Sequence, residues 1–132
     1  MKQVFLGGTC NGSLWRNKLI PMLKIGYFNP VVDDWTPAHQ KEEVKQRKTS
    51  DFCLYVITPK MKGTYSIAEV IDDSNKQPKK TIFCVLKNDS KQKFDKAQLK
   101  SLESVANMVK HNGGKYFGSL EEVANYLNKQ AK

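Results

Sequence analysis

Residues 52–57, Phe-Cys-Leu-Tyr-Val-Ile, form an unbroken apolar run, bounded by Asp51 on one side and by Thr58 and Pro59 on the other. A strand with one wet face alternates apolar and polar residues. A continuous run needs cover on both faces, which is the environment of an inner strand in a parallel sheet. Parallel neighbours in turn need long crossovers, usually helices. The rest of the chain supplies them. After the run comes a loop with Pro59 and Gly63, and then residues 64–72 carry Ile67, Val70 and Ile71 at helical spacing. Glu69 falls in the first turn or two of that helix. In open α/β sheets ligands bind just beyond the carboxyl ends of strands, so a carboxylate at this point is well placed for chemistry.

The same alternation holds from end to end. Val4, Phe5 and Leu6 form a first strand that runs into Gly7, Gly8 and Thr9. Leu14, Trp15, Leu19, Ile20, Met22 and Leu23 mark an amphipathic helix that Pro21 can distort, and Gly26 ends it. A short second strand and its exit follow, with Tyr27, Phe28, Val31 and Val32 flanking Asn29 and Pro30. A polar helix starts at Pro37 or Ala38 and runs through Arg47. Residues 80–86 are a fourth strand, again continuously apolar, and residues 88–93 read as a polar loop. Ala97, Leu99, Leu102, Val105, Ala106 and Val109 trace a helical stripe. Residues 115–117 are a short fifth strand. Ser119 and Glu122 read as a capping box that opens a last helix, with residues 128–132 as a frayed polar tail. Five strands and five helices in strict alternation predict a single α/β domain over residues 1–132. Its form is a Rossmann-like, flavodoxin-like three-layer sandwich whose five-stranded parallel sheet has the order 2-1-3-4-5. The ligand crevice then opens between strands 1 and 3, where the strand order reverses.

Length and charge narrow the function. At 132 residues there is room for one domain with a real core and no second one. No apolar run approaches the length of a membrane span, and the chain leads straight into a strand with no signal-like segment. We therefore expect a cytoplasmic protein without membrane contact. The three cysteines, Cys10, Cys53 and Cys84, are odd in number and widely spaced, and two of them lie in core strands. Reduced thiols are the expectation. His39 and His111 are far apart and lack ligand-like neighbours, so no metal and no cofactor is expected. The net charge of +9 favours anionic partners. The lysines are scattered, however, and nucleic acid is not the expected partner.

The glycine turn at Gly7, Gly8 and Thr9 is compatible with a phosphate or a sugar hydroxyl resting on backbone N–H groups. Its spacing is neither a dinucleotide fingerprint nor a P-loop. A tight turn that merely needs glycine explains it equally well. Ser66 and Glu69 also match a capping box, which gives Glu69 a purely structural alternative.

Three segments together resemble a known family. Val-Phe-Leu-Gly-Gly-Thr at residues 4–9, Asn-Pro-Val-Val-Asp-Asp-Trp at residues 29–35 and the stretch from Ser50 to Glu69 are similar to the nucleoside 2-deoxyribosyltransferase-like family. The resemblance covers residues 4–74, and its most specific part is Gly63-x-x-Ser66-x-x-Glu69. It implies cleavage of an N-glycosidic bond in a nucleoside or nucleotide, in which a glutamate at the Glu69 position attacks the anomeric carbon. The base departs, a glycosyl-enzyme ester forms, and water or a second base takes the sugar. It also implies a homo-oligomer, because the family tends to complete its sites from a neighbouring subunit. Nearness to a helix N-terminus is expected to keep Glu69 ionised.

Two departures stand out. Phe5 occupies a position where the family often has a tyrosine, and Gly63 lies near one where it carries a base-handling aspartate. Proton delivery then falls to Asp34 or Glu43. Trp35 is a candidate to stack on a base. Gly7, Gly8, Thr9, Gly63 and Ser66 are candidates to contact the substrate, with Ser66 and Thr9 offering hydroxyls to the sugar or a 5′-phosphate. The positive charge, Arg16 included, leans towards a nucleotide. Asp51 reads as structural. The rival reading is a nucleotide-binding module that keeps the crevice and lacks the chemistry.

Overall fold

The computed structural model describes residues 1–10, 12–33 and 35–131. Its main sheet contains β1 (Gln3–Gly8), β2 (Gly26–Phe28), β3 (Phe52–Ile57), β4 (Thr81–Val85) and β7 (Lys115–Phe117), in the order β2-β1-β3-β4-β7 with every pairing parallel. This is the expected 2-1-3-4-5 arrangement. The numbering advances because β5 (Asn88–Asp89) and β6 (Gln92–Lys93) form a small antiparallel hairpin where a loop was expected. Ser90 makes its turn at φ 57°. The hairpin carries no apolar alternation, so no pattern announced it.

Every residue of β3 and of β4 is buried. Strand pleating sends alternate residues to opposite faces, and this sorts the core into two layers. On one face Val4, Leu6, Leu54, Val56, Ile82 and Cys84 pack with Trp15 and Leu19 of α1 (Trp15–Leu19) and with Val123 and Leu127 of α5 (Leu120–Gln130). On the other Phe5, Cys53, Tyr55, Ile57, Phe83 and Val85 pack with Val70 of α3 (Tyr65–Lys76) and with Leu102, Ala106 and Val109 of α4 (Lys96–His111). Cys53 and Cys84 are free thiols inside this core, and burial pushes both up to about 12.

Two helix ends differ from expectation. The first helix is cut short at Leu19, and Ile20–Met22 continue as a 3-10 turn with Pro21 near its start, since proline has no N–H to bond back into an α-turn. The last helix continues to Gln130, so the expected fraying at residue 128 does not occur within the described residues. Asn128 is tied down, accepting from the Lys24 N–H at 2.8 Å and donating to the Met22 carbonyl at 2.9 Å. At α4 Asp95 and Gln98 form a full capping box.

The polar helix is α2 (Pro37–Thr49), capped by Thr36, whose hydroxyl accepts from the His39 N–H at 3.2 Å. None of its residues is fully buried. Among the described residues no helix is long and apolar enough to cross a membrane.

Candidate functional site

At the carboxyl ends of β1 and β3 the sheet order reverses, and a crevice of about 240 Å³ opens there. Its walls include Gly7 and Gly8 from β1, Pro30, Val31, Val32 and Trp35 from the exit of β2, Glu43 from α2, and Tyr65, Ser66 and Glu69 from α3. Six of the residues expected from sequence therefore converge: Gly7, Gly8, Trp35, Glu43, Ser66 and Glu69. Asp34 lies outside the described residues. Thr9 and Gly63 do not line the crevice. The Thr9 hydroxyl is buried and accepts from the Thr58 N–H at 3.0 Å, while its own N–H donates to the Val56 carbonyl at 2.8 Å. Gly63 faces open space.

The two glycines are there for packing. A Cβ on Gly7 would lie 2.8 Å from the Tyr55 ring, and one on Gly8 would lie 2.1 Å from the Val56 carbonyl oxygen. Gly8 also has φ 116°, a conformation open to glycine and strained for other residues. The β1 exit thus lies flat against β3. Arg16 holds it there: the guanidinium is 5% exposed and donates to the carbonyls of Leu6 and Thr9 at 2.8–3.1 Å, and more weakly to Gly8 at 3.4 Å. Burial lowers Arg16 to about 10. Its donors serve the backbone, so the expected lean towards a phosphate-bearing substrate loses its cation. The helix behind the turn, α1, has only five residues.

Glu69 lies at the fifth position of α3 and is 7% exposed. Ser66 is the second helical residue and Thr64 is the N-cap, with no side-chain cap bond. The capping-box alternative for Ser66 and Glu69 therefore does not describe this helix. Tyr65 and Ser66 precede Glu69 by four and three residues, so all three share a face. That spacing is the signal that could have found Tyr65, which is 72% exposed at the rim. Pro30, Val31, Val32, Cys10 and Arg16 carry no such periodic mark.

The expectation that Glu69 is held ionised is reversed. Burial pushes its carboxyl up to about 7; Arg47 opposes the shift, while Glu43 and Asp73 add to it. A dipole effect of about 0.3–1 kcal/mol at a helix start does not match the removal of a carboxylate from water. Glu43 is also pushed up, again by burial, against the pull of Arg47 and Arg16. Two carboxyl groups with raised proton affinity thus face one small cavity.

Arg47 sits behind them. Its Nη1 is 3.7 Å from Glu69 Oε2. Its Nε and Nη2 fork onto Asp73 at 2.9–3.2 Å, and Nη2 also reaches Asp72 at 2.9 Å. The Tyr55 hydroxyl donates to the same Asp73 carboxylate. Phe5 is buried and stacks on Phe28 with ring centroids 6.0 Å apart, so it brings no hydroxyl to the site. Asp51 accepts from the Gln3 N–H at 2.8 Å, a structural bond as expected. Among the described residues no cluster of His, Cys, Asp and Glu converges to hold a metal ion.

No curated protein and no solved structure matches the chain. A family model described as nucleoside 2-deoxyribosyltransferase like matches residues 1–88 of the 132. That span holds every residue named on the crevice wall, from Gly7 to Glu69, together with the four strands that place them. On that match, the chain belongs to the nucleoside 2-deoxyribosyltransferase-like family.

Proposed function

We propose that the protein cleaves the N-glycosidic bond of nucleosides or nucleoside monophosphates and transfers the sugar to a second base or to water. The observation that carries this reading is the placement of Glu69, a nearly buried carboxylate that still lines the crevice beside Gly7 and Gly8. A Glu69 oxygen attacks the anomeric carbon, the C–N bond breaks, and its electron pair leaves with the base nitrogen. Glu43 protonates that nitrogen. The resulting glycosyl ester is opened by a second base or by water, whose proton returns to Glu43. The two carboxyl groups divide the labour by environment. The reactive form is the one in which Glu69, against Arg47, is ionised and Glu43 holds the proton; burial pushes both carboxyl groups up, Glu69 to about 7. Trp35 and Tyr65, both exposed at the rim, are positioned to cover a flat base. The cavity lies just below the roughly 300–1,000 Å³ range of small-molecule sites, which suits one nucleoside rather than a dinucleotide.

A neighbouring copy that covers this apolar rim belongs to the same proposal, and sedimentation velocity reads it. The test of the chemistry is incubation with deoxynucleosides and their monophosphates, with and without a second base. Release of free base that vanishes in Glu69→Gln supports the reading. Saturable binding without any turnover refutes it and supports the non-catalytic module, for which Phe5 in place of a hydroxyl-bearing residue is the observation in favour.

A further inference from the structure

The half-buried residues of α2 are Glu43, Gln46 and Arg47, spaced three and four apart. The inward stripe of this helix is therefore entirely polar, while Val44, its one large apolar residue, is 52% exposed. Surface helices normally dock through an apolar stripe. This one docks through side-chain bonds: Gln46 with Gln3 at 2.6 Å, and Arg47 with Asp72 and Asp73. Arg47 is absent from the crevice wall, yet it reaches the hidden side of Glu69.

We propose that Arg47 is the positioning residue of the site: its fork on Asp72 and Asp73 docks α2, delivers Glu43 to the crevice one helical turn away, and holds a cation against the back of the Glu69 carboxylate. The functional part rests on the reading that Glu69 is the reactive group. The fork geometry favours arginine over lysine, because only a planar guanidinium can bond both oxygens of Asp73 while extending a third nitrogen towards Glu69. The Tyr55 hydroxyl holds Asp73 from the β3 side, so the anchor is fixed from two elements. Among the described residues the charged and titratable groups facing Glu69 are Arg47 and Glu43 from α2 and Asp73 from its own helix, with Tyr55 behind Asp73. Tyr65 lines the same crevice from α3, as do Cys10 and Arg16 from the segment after β1. Among the described residues Arg47 is the only cation that acts on Glu69, so removing it leaves that carboxyl with two carboxylate neighbours there and no counter-charge.

The experiment uses the full chain with ¹³C-labelled glutamate carboxyls, the Glu69 signal being assigned by its loss in Glu69→Gln. In Arg47→Gln the Glu69 midpoint should rise by about one pH unit or more. The Glu43 midpoint should shift in the same variant, because α2 loses its anchor. A folded Arg47→Gln with both midpoints within a few tenths of wild type overturns the proposal. If that variant does not fold, the wild type decides. The Arg47 side-chain ¹⁵N signals should move with the Glu69 midpoint, and their silence through that titration overturns it.

None of this needs turnover. A protein that releases no base yet shows these shifts keeps the positioning role and loses the glycosyl-transfer reading. Where base release is observed, Arg47→Gln should lower kcat at least tenfold at pH 7 with KM nearly unchanged, because Arg47 touches no substrate. A loss confined to KM overturns the positioning role.

Discussion

Glu69→Gln should make the protein more stable at pH 8 and leave its stability almost unchanged at pH 5. The native carboxyl titrates at about 7 against an ordinary value of 4.5. Between those two pH values the folded state binds the proton more tightly than the unfolded state does. Stability from this group is therefore complete below about 4.5, is lost as pH rises through the window, and stays lost above about 7. At about 1.36 kcal/mol per pH unit the full loss is about 3 kcal/mol. Solvent screening at the crevice mouth reduces that to about 1–2 kcal/mol. Glutamine has nearly the same shape and no charge, and Arg47 keeps its bonds to Asp72 and Asp73. The variant should thus exceed wild type at pH 8 by about 1–2 kcal/mol, or about 3–8 °C in Tm for a domain of this size. Thermal melts of both proteins at pH 5 and pH 8 read the effect, and their difference cancels every other titrating group. An advantage of the same size at both pH values refutes the reasoning. So does a variant less stable than wild type at pH 8, since the Arg47 pair would then outweigh the burial cost.

The other predictions concern the glycine turn and the reaction. Gly8→Ala should cost about 3 kcal/mol or more in denaturant unfolding, because the added methyl group meets the Val56 carbonyl at 2.1 Å and φ is 116°. Gly63→Ala should change stability by less than about 0.5 kcal/mol and leave base release intact, since nothing lies within 4 Å of the added atom; lost substrate affinity there would restore Gly63 to the site. The pH profile of kcat/KM should be bell-shaped around neutral pH, because the reactive form carries one proton on the pair of carboxyl groups and Glu69 titrates at about 7. Glu43→Gln should remove the falling limb and lower the rate by about 10²–10⁴-fold; a falling limb that survives assigns the acid elsewhere.

The sheet was legible because burial on both faces leaves a mark that few other structures share. Phe52–Ile57 and Thr81–Val85 could be little else than inner strands, and the order of the sheet followed from crossover length and handedness. The crevice followed from the order, and with it Gly7, Gly8, Ser66 and Glu69. What stayed hidden depends on contacts between distant segments. Arg16 reads as a surface cation near a glycine turn, but its donors go to backbone carbonyls seven to ten residues away. Thr9 reads as a substrate hydroxyl, but its partner is Thr58 on another segment. Arg47 reads as the end of a polar helix, because nothing local shows that Asp72 and Asp73 lie across the gap. The proton affinity of Glu69 is hidden for the same reason: the helix start is visible in sequence, and the depth of burial is not.

The polar inner stripe of α2 bears on why the site lies where it does. Hydrophobic docking would give this helix a firmer seat, since charged groups that leave water recover the cost only with well-placed partners. An apolar residue at position 43 or 47 would fill the same space without titrating, and replacing a buried ion pair in that way is often neutral or stabilising. The arrangement found here instead sets two carboxyl groups near one another in a crevice about 240 Å³ in volume, with a single arginine charge against Glu69 from behind. Such a set can exchange a proton near neutral pH, which an apolar seam cannot do. If stability alone governed this region, Arg47→Met combined with Asp73→Leu and Tyr55→Phe should yield a folded chain whose α2 stays docked, with amide exchange across residues 37–49 as slow as in wild type. The fork instead predicts a chain that folds with α2 unmoored, seen as rapid amide exchange across residues 37–49, while β3 and β4 stay protected.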